Sequence, residues 1–305
     1  MQLIIQPDDG LEPVLVAIEN AKKSIDIVVF RLDLKPVVKA LQAAVSRGVA
    51  VRAQIAHTNK GGDKALRKLE ARLLDAGVTV SRSPDELIRY HGKMMIVDGR
   101  VLHVNGFNFT RADIARSRSF GAVFTSAPLV KEAQRLFQSD LDRQPYTCSN
   151  DRLVVSPVNS RSILSDFIKG AKKQLLIYDP NINDPRILRL LAQKATAGVD
   201  VRVLGKGPGC GLNAQKYPGK RLHVRAIIRD RHRAFVGSQS LRALELDRRR
   251  EIGAMITDAP TVKKMAEVFE ADWALTSTAR EAAAAGSKLA DADAPTEELT
   301  PARAD

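Results

Sequence analysis

His91 and Lys93 stand two residues apart in the stretch YHGKMMIVDGRVLHVNGFN, residues 90–108, so on an extended backbone an imidazole and an ammonium leave the same face. Met94 to Val97 is an apolar run of the kind that forms a buried strand, and Asp98-Gly99 turns the chain into a second run, Val101 to Val104. An imidazole and a cation on one face, backed by apolar core, have the composition of a phosphate site. Leu222 to Ser240 reads LHVRAIIRDRHRAFVGSQS and repeats the pattern with His223, Arg225 and Asp230.

The duplication extends well beyond the motif. Arg118-Ser119-Phe120-Gly121 answers Arg250-Glu251-Ile252-Gly253, and Phe137 and Asp140-Leu141 answer Phe269 and Asp272-Trp273, each pair offset by 132 (223 − 91). Upstream, Pro7 matches Pro157, Ala21-Lys22-Lys23 matches Ala171-Lys172-Lys173, and Gly48-Val49 matches Gly198-Val199, at an offset of 150 (157 − 7). The second copy is therefore 18 residues shorter (150 − 132) ahead of its motif. An internal duplication with one polar motif per copy is a far stronger signal than either motif alone.

On these residues the chain resembles the phospholipase D superfamily, whose signature is H-x-K-x4-D followed, after six residues, by G-S-x-N. The resemblance covers about residues 1–280. It implies two αβα halves with mixed β-sheets, related by a pseudo-twofold, with His91 and His223 meeting at their interface. The halves are expected at 1–145 and 151–280, with 281–305 as a disordered tail.

A phosphodiester is an anion, poorly attacked by water and slow to lose an alkoxide. Of two facing imidazoles, one can attack phosphorus while the other protonates the leaving oxygen. A covalent phosphohistidine results, and cations hold the oxygens on which charge develops. His-x-Lys supplies only one good metal ligand, so neither metal nor cofactor is expected. By resemblance His91 is the nucleophile and His223 the general acid and later base, although the residues themselves leave the two roles interchangeable. Lys93 and Arg225 bind phosphate oxygens, and Asn108 and Ser238 support them at the G-S-x-N positions. Asp98 and Asp230 act as turn-positioning carboxylates. His57, His103 and His232 are read as ordinary core or surface histidines.

Four positions depart from the signature. Arg225 replaces lysine, exchanging a compact ammonium for a planar fork. Asn105-Gly106 stands where Gly-Ser is expected, and Ser240 where asparagine is expected. Glu251, 28 residues after His223, matches the acid that bonds the second imidazole nitrogen in the family, whereas Ser119 holds that position in the first copy. On this reading His91 lacks a carboxylate to fix its tautomer.

The remaining chain supplies the elements that must carry these residues. Helical spacing marks Leu11–Lys23, Pro36–Arg47, Asp63–Ala76 and Leu129–Asp142, and β-branched runs mark Ser24–Phe30, Val49–Ala56, Val78–Ser81, Leu87–Tyr90 and Arg118–Thr125. Strands alternating with helices indicate an α/β sheet covered on both faces. In the second half a Gly- and Pro-containing loop, Gly205–Gly219, replaces the Asp63 helix.

With 305 residues, 44% of them hydrophobic, the chain can bury a sizeable core. Cys148 and Cys210 sit at unmatched positions and imply no disulfide framework, which fits a reducing, cytoplasmic compartment. No basic leader or membrane-spanning run is visible. The net charge of +13 and nine arginines between Arg221 and Arg250 favour polyanionic partners. A phospholipid or other phosphodiester, an anionic membrane surface and nucleic acid all qualify. The first reading is a phosphodiesterase or phosphatidyltransferase acting on glycerophospholipids, as in cardiolipin synthases. Alternatives are a metal-independent nuclease of the same fold, or a retired anion-binding module.

Overall fold

Two sheets of matching topology carry the two motifs. The computed structural model describes residues 1–59, 61–206, 211–217 and 221–292, the last sixteen of these (277–292) as backbone only. The first half runs β1 (Gln2–Gln6), α1 (Glu12–Glu19), β2 (Ser24–Val29), α2 (Lys35–Ser46), β3 (Ala50–Ile55), α3 (Gly62–Asp75), β4 (Thr79–Arg82), β5 (Arg89–Tyr90), β6 (Met94–Val97), β7 (Val101–Asn105), α4 (Arg111–Arg116), β8 (Ser117–Phe124) and α5 (Ala127–Leu141). The second runs β9 (Leu153–Val155), α6 (Ser160–Lys169), β10 (Gln174–Asn181), α7 (Pro185–Thr196), β11 (Asp200–Lys206), β12 (Asn213–Gln215), β13 (Arg221–Leu222), β14 (Ala226–Arg229), β15 (Arg233–Gly237), α8 (Ala243–Asp247), β16 (Arg249–Arg250), β17 (Ile252–Ile256) and α9 (Ala259–Ala292).

The first sheet is ordered β1-β8-β7-β6-β2-β3-β4 and the second β9-β17-β15-β14-β10-β11-β12, the same order strand for strand. In each, two parallel pairings (β2–β3–β4, β10–β11–β12) adjoin an antiparallel meander. The mixed α/β architecture follows the sequence reading. Residues 281–292, placed in the tail by sequence, continue α9; the segment is alanine-rich and of high helix propensity. Of the loop expected at Gly205–Gly219, residues 207–210 (with Cys210) and 218–219 lie outside the described residues, as do residues 220 and 293–305; β12 takes the sheet position of β4.

The outer faces pack separately. Ile18, Val37, Leu41 and Leu73 cover the first sheet, and Leu164, Ile168, Ile187 and Leu191 the second. The inner faces share one core, in which Leu136 and Phe137 of α5 and Met265 and Phe269 of α9 lie among side chains of both sheets. Neither half closes its inner face alone, so the halves form one folding unit. Trp273 stacks on Phe269 at the edge of this core, as its repeat position implied. Buried ion pairs cross the junction in both directions: Arg118 to Asp272 at 2.9 Å, and Arg250 to Asp140 at 2.9 Å. Removing one partner of such a pair typically costs ~3–5 kcal/mol, because the other charge is left buried. No helix among the described residues is long and apolar enough to cross a membrane.

Candidate active site

Each motif histidine is delivered by a two-residue strand that pairs with the opposite half. Strand β5 runs parallel to β16, with Arg89 opposite Arg249 and Tyr90 opposite Arg250, and the His91 amide donates to the Arg250 carbonyl at 2.7 Å. Strand β13 runs parallel to β8, with Arg221 opposite Ser117, and the His223 amide donates to the Arg118 carbonyl at 3.1 Å. The approach at the first junction is close. A Cβ on Gly92 would lie 2.5 Å from Ile252 Cδ1, so any larger residue there would have to displace the Ile252 side chain at this junction.

This crossing corrects the sequence reading of the carboxylates. Glu251 does not serve the histidine of its own half; its Oε2 accepts from His91 Nδ1 at 2.8 Å. Ser119 lies across from His223, with its hydroxyl 3.4 Å from the His223 carbonyl rather than on the ring. His91 is therefore the histidine with a carboxylate partner, and His223 the one without. Offsets along a sequence cannot reveal this, because the pseudo-twofold exchanges partners between copies.

The His91 side is buried and preset. Glu251 is fully buried, Lys93 is 1% exposed and His91 8% exposed. Burial and the cations Lys93 and Arg225 hold His91 well below the ordinary imidazole range, so the ring is neutral. Donation of Nδ1–H to Glu251 leaves the Nε2 lone pair free for chemistry. Lys93 Nζ caps it at 3.1 Å while donating to the His91 carbonyl at 2.6 Å. Burial lowers the Lys93 ammonium to about 7, with Glu251 opposing the shift. Burial raises Glu251, and Lys93 pulls it back down.

The His223 side is built from parts the sequence reading missed. Thr110 caps α4 by accepting from the Asp113 amide, a T-x-x-D start signal, and Asp113 points its carboxylate back across the junction. Asp113 Oδ2 lies 3.6 Å from His223 Nδ1 and accepts from Asn108 N at 2.8 Å and Nδ2 at 2.7 Å. Its other oxygen takes the Arg221 guanidinium. Burial works against its charge, yet the hydrogen bonds from Asn108 and Arg221 hold Asp113 below the usual carboxylate range, so it stays ionised. His223 is pushed well below the imidazole range by burial and Arg225, with Asp113 opposing. The repeat carried a clue, since Glu245 lies 132 residues after Asp113 and accepts from Ser240 N at 2.7 Å, as Asp113 does from Asn108.

The remaining expected residues divide into near and far. Arg225 spans from Ser240 Oγ (3.2 Å) to the His223 carbonyl (3.2 Å), and both imidazoles feel its charge together with that of Lys93. Asn108 orients Asp113, leaving its own Oδ1 buried without a partner. Ser238 accepts from the Ile252 amide at 3.1 Å, which fixes the strand start beside Glu251. Asp98 and Asp230 are not phosphate ligands. They sit at the far ends of β6 and β14 in left-handed turns (φ 53° and 52°) and bind the amides of residues 22–24 and 172–174, tying each hairpin to its neighbouring strand. His57 pairs with Ser83, and His103 is buried in the core with both ring nitrogens unpartnered. Arg249 pairs with Glu245, whereas Asp247 pairs with Arg161.

Residues 14–141 match the family model for a cardiolipin synthase, PLD-like domain. The chain is 22% identical to a polyphosphate kinase of Pseudomonas aeruginosa over 74% of its own length and 36% of that protein's. It is 23% identical to cardiolipin synthase 1 of Bacillus cereus, covering 89% of itself and 66% of that relative. It thus spans about a third of the first relative's length and 66% of the second's. A polyphosphate kinase structure from Porphyromonas gingivalis superposes with a TM-score of 0.73 at 18% identity, over 89% of this chain and 50% of the other, a likeness of fold. The duplicated motif, the matching half-sheets and the family match over residues 14–141 together support the phospholipase D superfamily for this chain.

Proposed function

We propose that the chain is a metal-independent phosphodiesterase or phosphatidyltransferase that acts on glycerophospholipids through a phosphohistidine. The observation that carries this reading is the dyad of His91 and Glu251, whose 2.8 Å bond orients a neutral imidazole with its free nitrogen beside a cation. His91 Nε2 attacks phosphorus as the bond to the leaving alcohol breaks, and His223 gives its proton to that oxygen. Glu251 stabilises the cationic ring as its charge develops. Lys93 and Arg225 hold the non-bridging oxygens; for this Lys93 turns from Nε2 to the phosphate. In the second half-reaction water or an alcohol loses its proton to His223 and attacks phosphorus, and the bond to Nε2 breaks.

In the free site burial keeps His223 neutral, so it takes up its proton together with the anionic substrate. The lipid class rests on the cardiolipin synthase relative and family model. The test is turnover of phosphatidylglycerol and phosphatidylcholine in excess chelator, with single-stranded DNA alongside. Lipid turnover that survives chelation and disappears in His91→Ala and His223→Ala supports the reading. Turnover of DNA alone replaces it with a nuclease, and no turnover on any diester replaces it with a binding module.

A further inference from the structure

Arg89 stands two residues before His91 on the strand that delivers it, and a shared aromatic floor shows where its side chain goes. The Phe30 ring lies 4.4 Å, centroid to centroid, from the His91 ring, 5.4 Å from Lys93 Nζ and 5.7 Å from the Arg89 guanidinium carbon. Arg89, His91 and Lys93 are thus one row around one ring, as their spacing of two on an extended chain requires. Opposite Arg89 in the β5–β16 pairing stands Arg249, so two guanidinium-bearing side chains from different halves lie side by side.

Neither arginine is satisfied. The Nε of each is buried and has no acceptor. Arg249 donates from Nη1 to Glu245 at 3.2 Å and lies 3.9 Å from Glu251. Arg89 has no carboxylate or carbonyl partner among the described residues, and burial and Arg249 both weaken its hold on its proton, with Glu251 and Glu245 opposing. The pseudo-equivalent position in the other half shows the contrast. There Arg221 is taken up by Asp113 and by Ser117 Oγ at 3.1 Å, and Ser117 replaces the second arginine. A buried guanidinium N–H without an acceptor is costly, and an anion removes that cost.

We propose that Arg89 and Arg249 form a second anion subsite beside His91, which takes a dianionic terminal phosphate next to the reacting one. This deepens the proposed function, since it rests on His91 holding the reacting phosphorus. Two residues of extended chain separate Arg89 from His91 by about 6–7 Å, room for the next phosphate of one substrate. Two adjacent guanidinium groups match the charge of a phosphate monoester, whereas an internal diester needs only one. The group recognised is therefore a terminal phosphate, on a condensed phosphate chain or on a lipid headgroup.

Equilibrium binding measured by calorimetry tests this without turnover. Tripolyphosphate is compared with inorganic phosphate, and short-chain phosphatidylglycerol with and without a phosphomonoester on its terminal glycerol. In at least one pair the compound with the extra terminal phosphate is expected to bind about tenfold tighter. Arg89→Gln removes that ratio while leaving the binding of glycerophosphocholine, whose diester phosphate is monoanionic, within twofold of wild type, and Arg89→Lys restores part of the ratio. The pair that shows the ratio names the source of the phosphate. A ratio within twofold in both pairs, or one that survives in Arg89→Gln, overturns the subsite. A ratio that persists in His91→Ala while wild type turns over no diester leaves the subsite standing and removes the enzymatic reading.

Discussion

The two halves share a strand order and differ in how they equip their histidines. His91 has a fully buried carboxylate at 2.8 Å and a lysine on its free nitrogen; His223 has a serine where the carboxylate would be, a borrowed aspartate at 3.6 Å and an arginine two residues on. A nucleophile that becomes cationic needs a fixed partner for its other nitrogen through both half-reactions. An acid that gives up its proton and then regains it is better served by a looser carboxylate, which does not trap the charged form. Under the proposed mechanism this asymmetry favours His91 as the nucleophile and His223 as the acid, roles that the duplicated motif alone leaves interchangeable.

The largest effect should come from exchanging the roles' readouts. With an activated diester, His223→Ala is expected to accumulate a ³²P-labelled, acid-labile protein adduct, because leaving-group chemistry is bypassed while the return step loses its base. His91→Ala should give no adduct and lose on the order of 10⁴-fold or more in turnover. Label that accumulates on His223 in the His91→Ala protein would reverse the assignment.

Next in size is the carboxylate comparison. Glu251→Gln keeps the shape of the side chain but can no longer stabilise the imidazolium, and a loss of about 10²-fold in kcat is expected. Ser119→Ala, at the matching position, should stay within about threefold, since its hydroxyl touches only a backbone carbonyl. Equal losses at the two positions would show that the halves are functionally symmetric.

Asp113→Asn should cost about tenfold, and its signature is a shift rather than a loss. Removing this charge lowers the affinity of His223 for its proton, so the alkaline limb of kcat should move to lower pH. Asp113 also holds Asn108 and Arg221, so a purely structural role would lower kcat without moving the limb. Ser119→Glu placed on top should restore the limb if it supplies the missing carboxylate.

How far the site was legible in the sequence follows from the same comparison. His91, Lys93, His223 and Arg225 could be found because each copy testifies for the other at a constant offset, and the α/β class, though not the strand order, could be anticipated because strands alternate with helices throughout. The destination of Glu251 could not be found, because a repeat records which residues are equivalent and not which copy they face. Asp113 was missed for a local reason. Its helix is six residues long and shows no apolar periodicity, although Thr110 ahead of it is a start signal and Glu245 is its repeat mate. Arg89 went unnoticed because an arginine two residues before a motif becomes informative only when its neighbours fail to neutralise it.

The smallest effect concerns the cation pair. Lys93 is lowered to about 7 by burial, whereas its counterpart in the other half is the guanidinium of Arg225. A monoanionic diester such as glycerophosphocholine does not itself titrate near neutrality, so its binding reports the protein alone. The ammonium form of Lys93 binds the anion, so affinity should be full below pH 6 and fall several-fold as pH rises from 6 to 8. His91 and His223 are held below this window, and Asp179, pushed up to about 6 by burial, lies at its lower edge. Lys93→Arg should flatten the profile by keeping its charge, and Lys93→Met should flatten it at the weaker, high-pH level. The fold responds in the opposite sense. Between about 7 and the ordinary lysine value the unfolded chain binds a proton that the folded chain does not, so stability should rise with pH across that interval. Opposite slopes for ligand affinity and for melting temperature, both lost in Lys93→Met, would assign the titration to this one buried ammonium. A binding profile that kept its slope in Lys93→Met would assign it elsewhere and leave the two halves' cations equivalent.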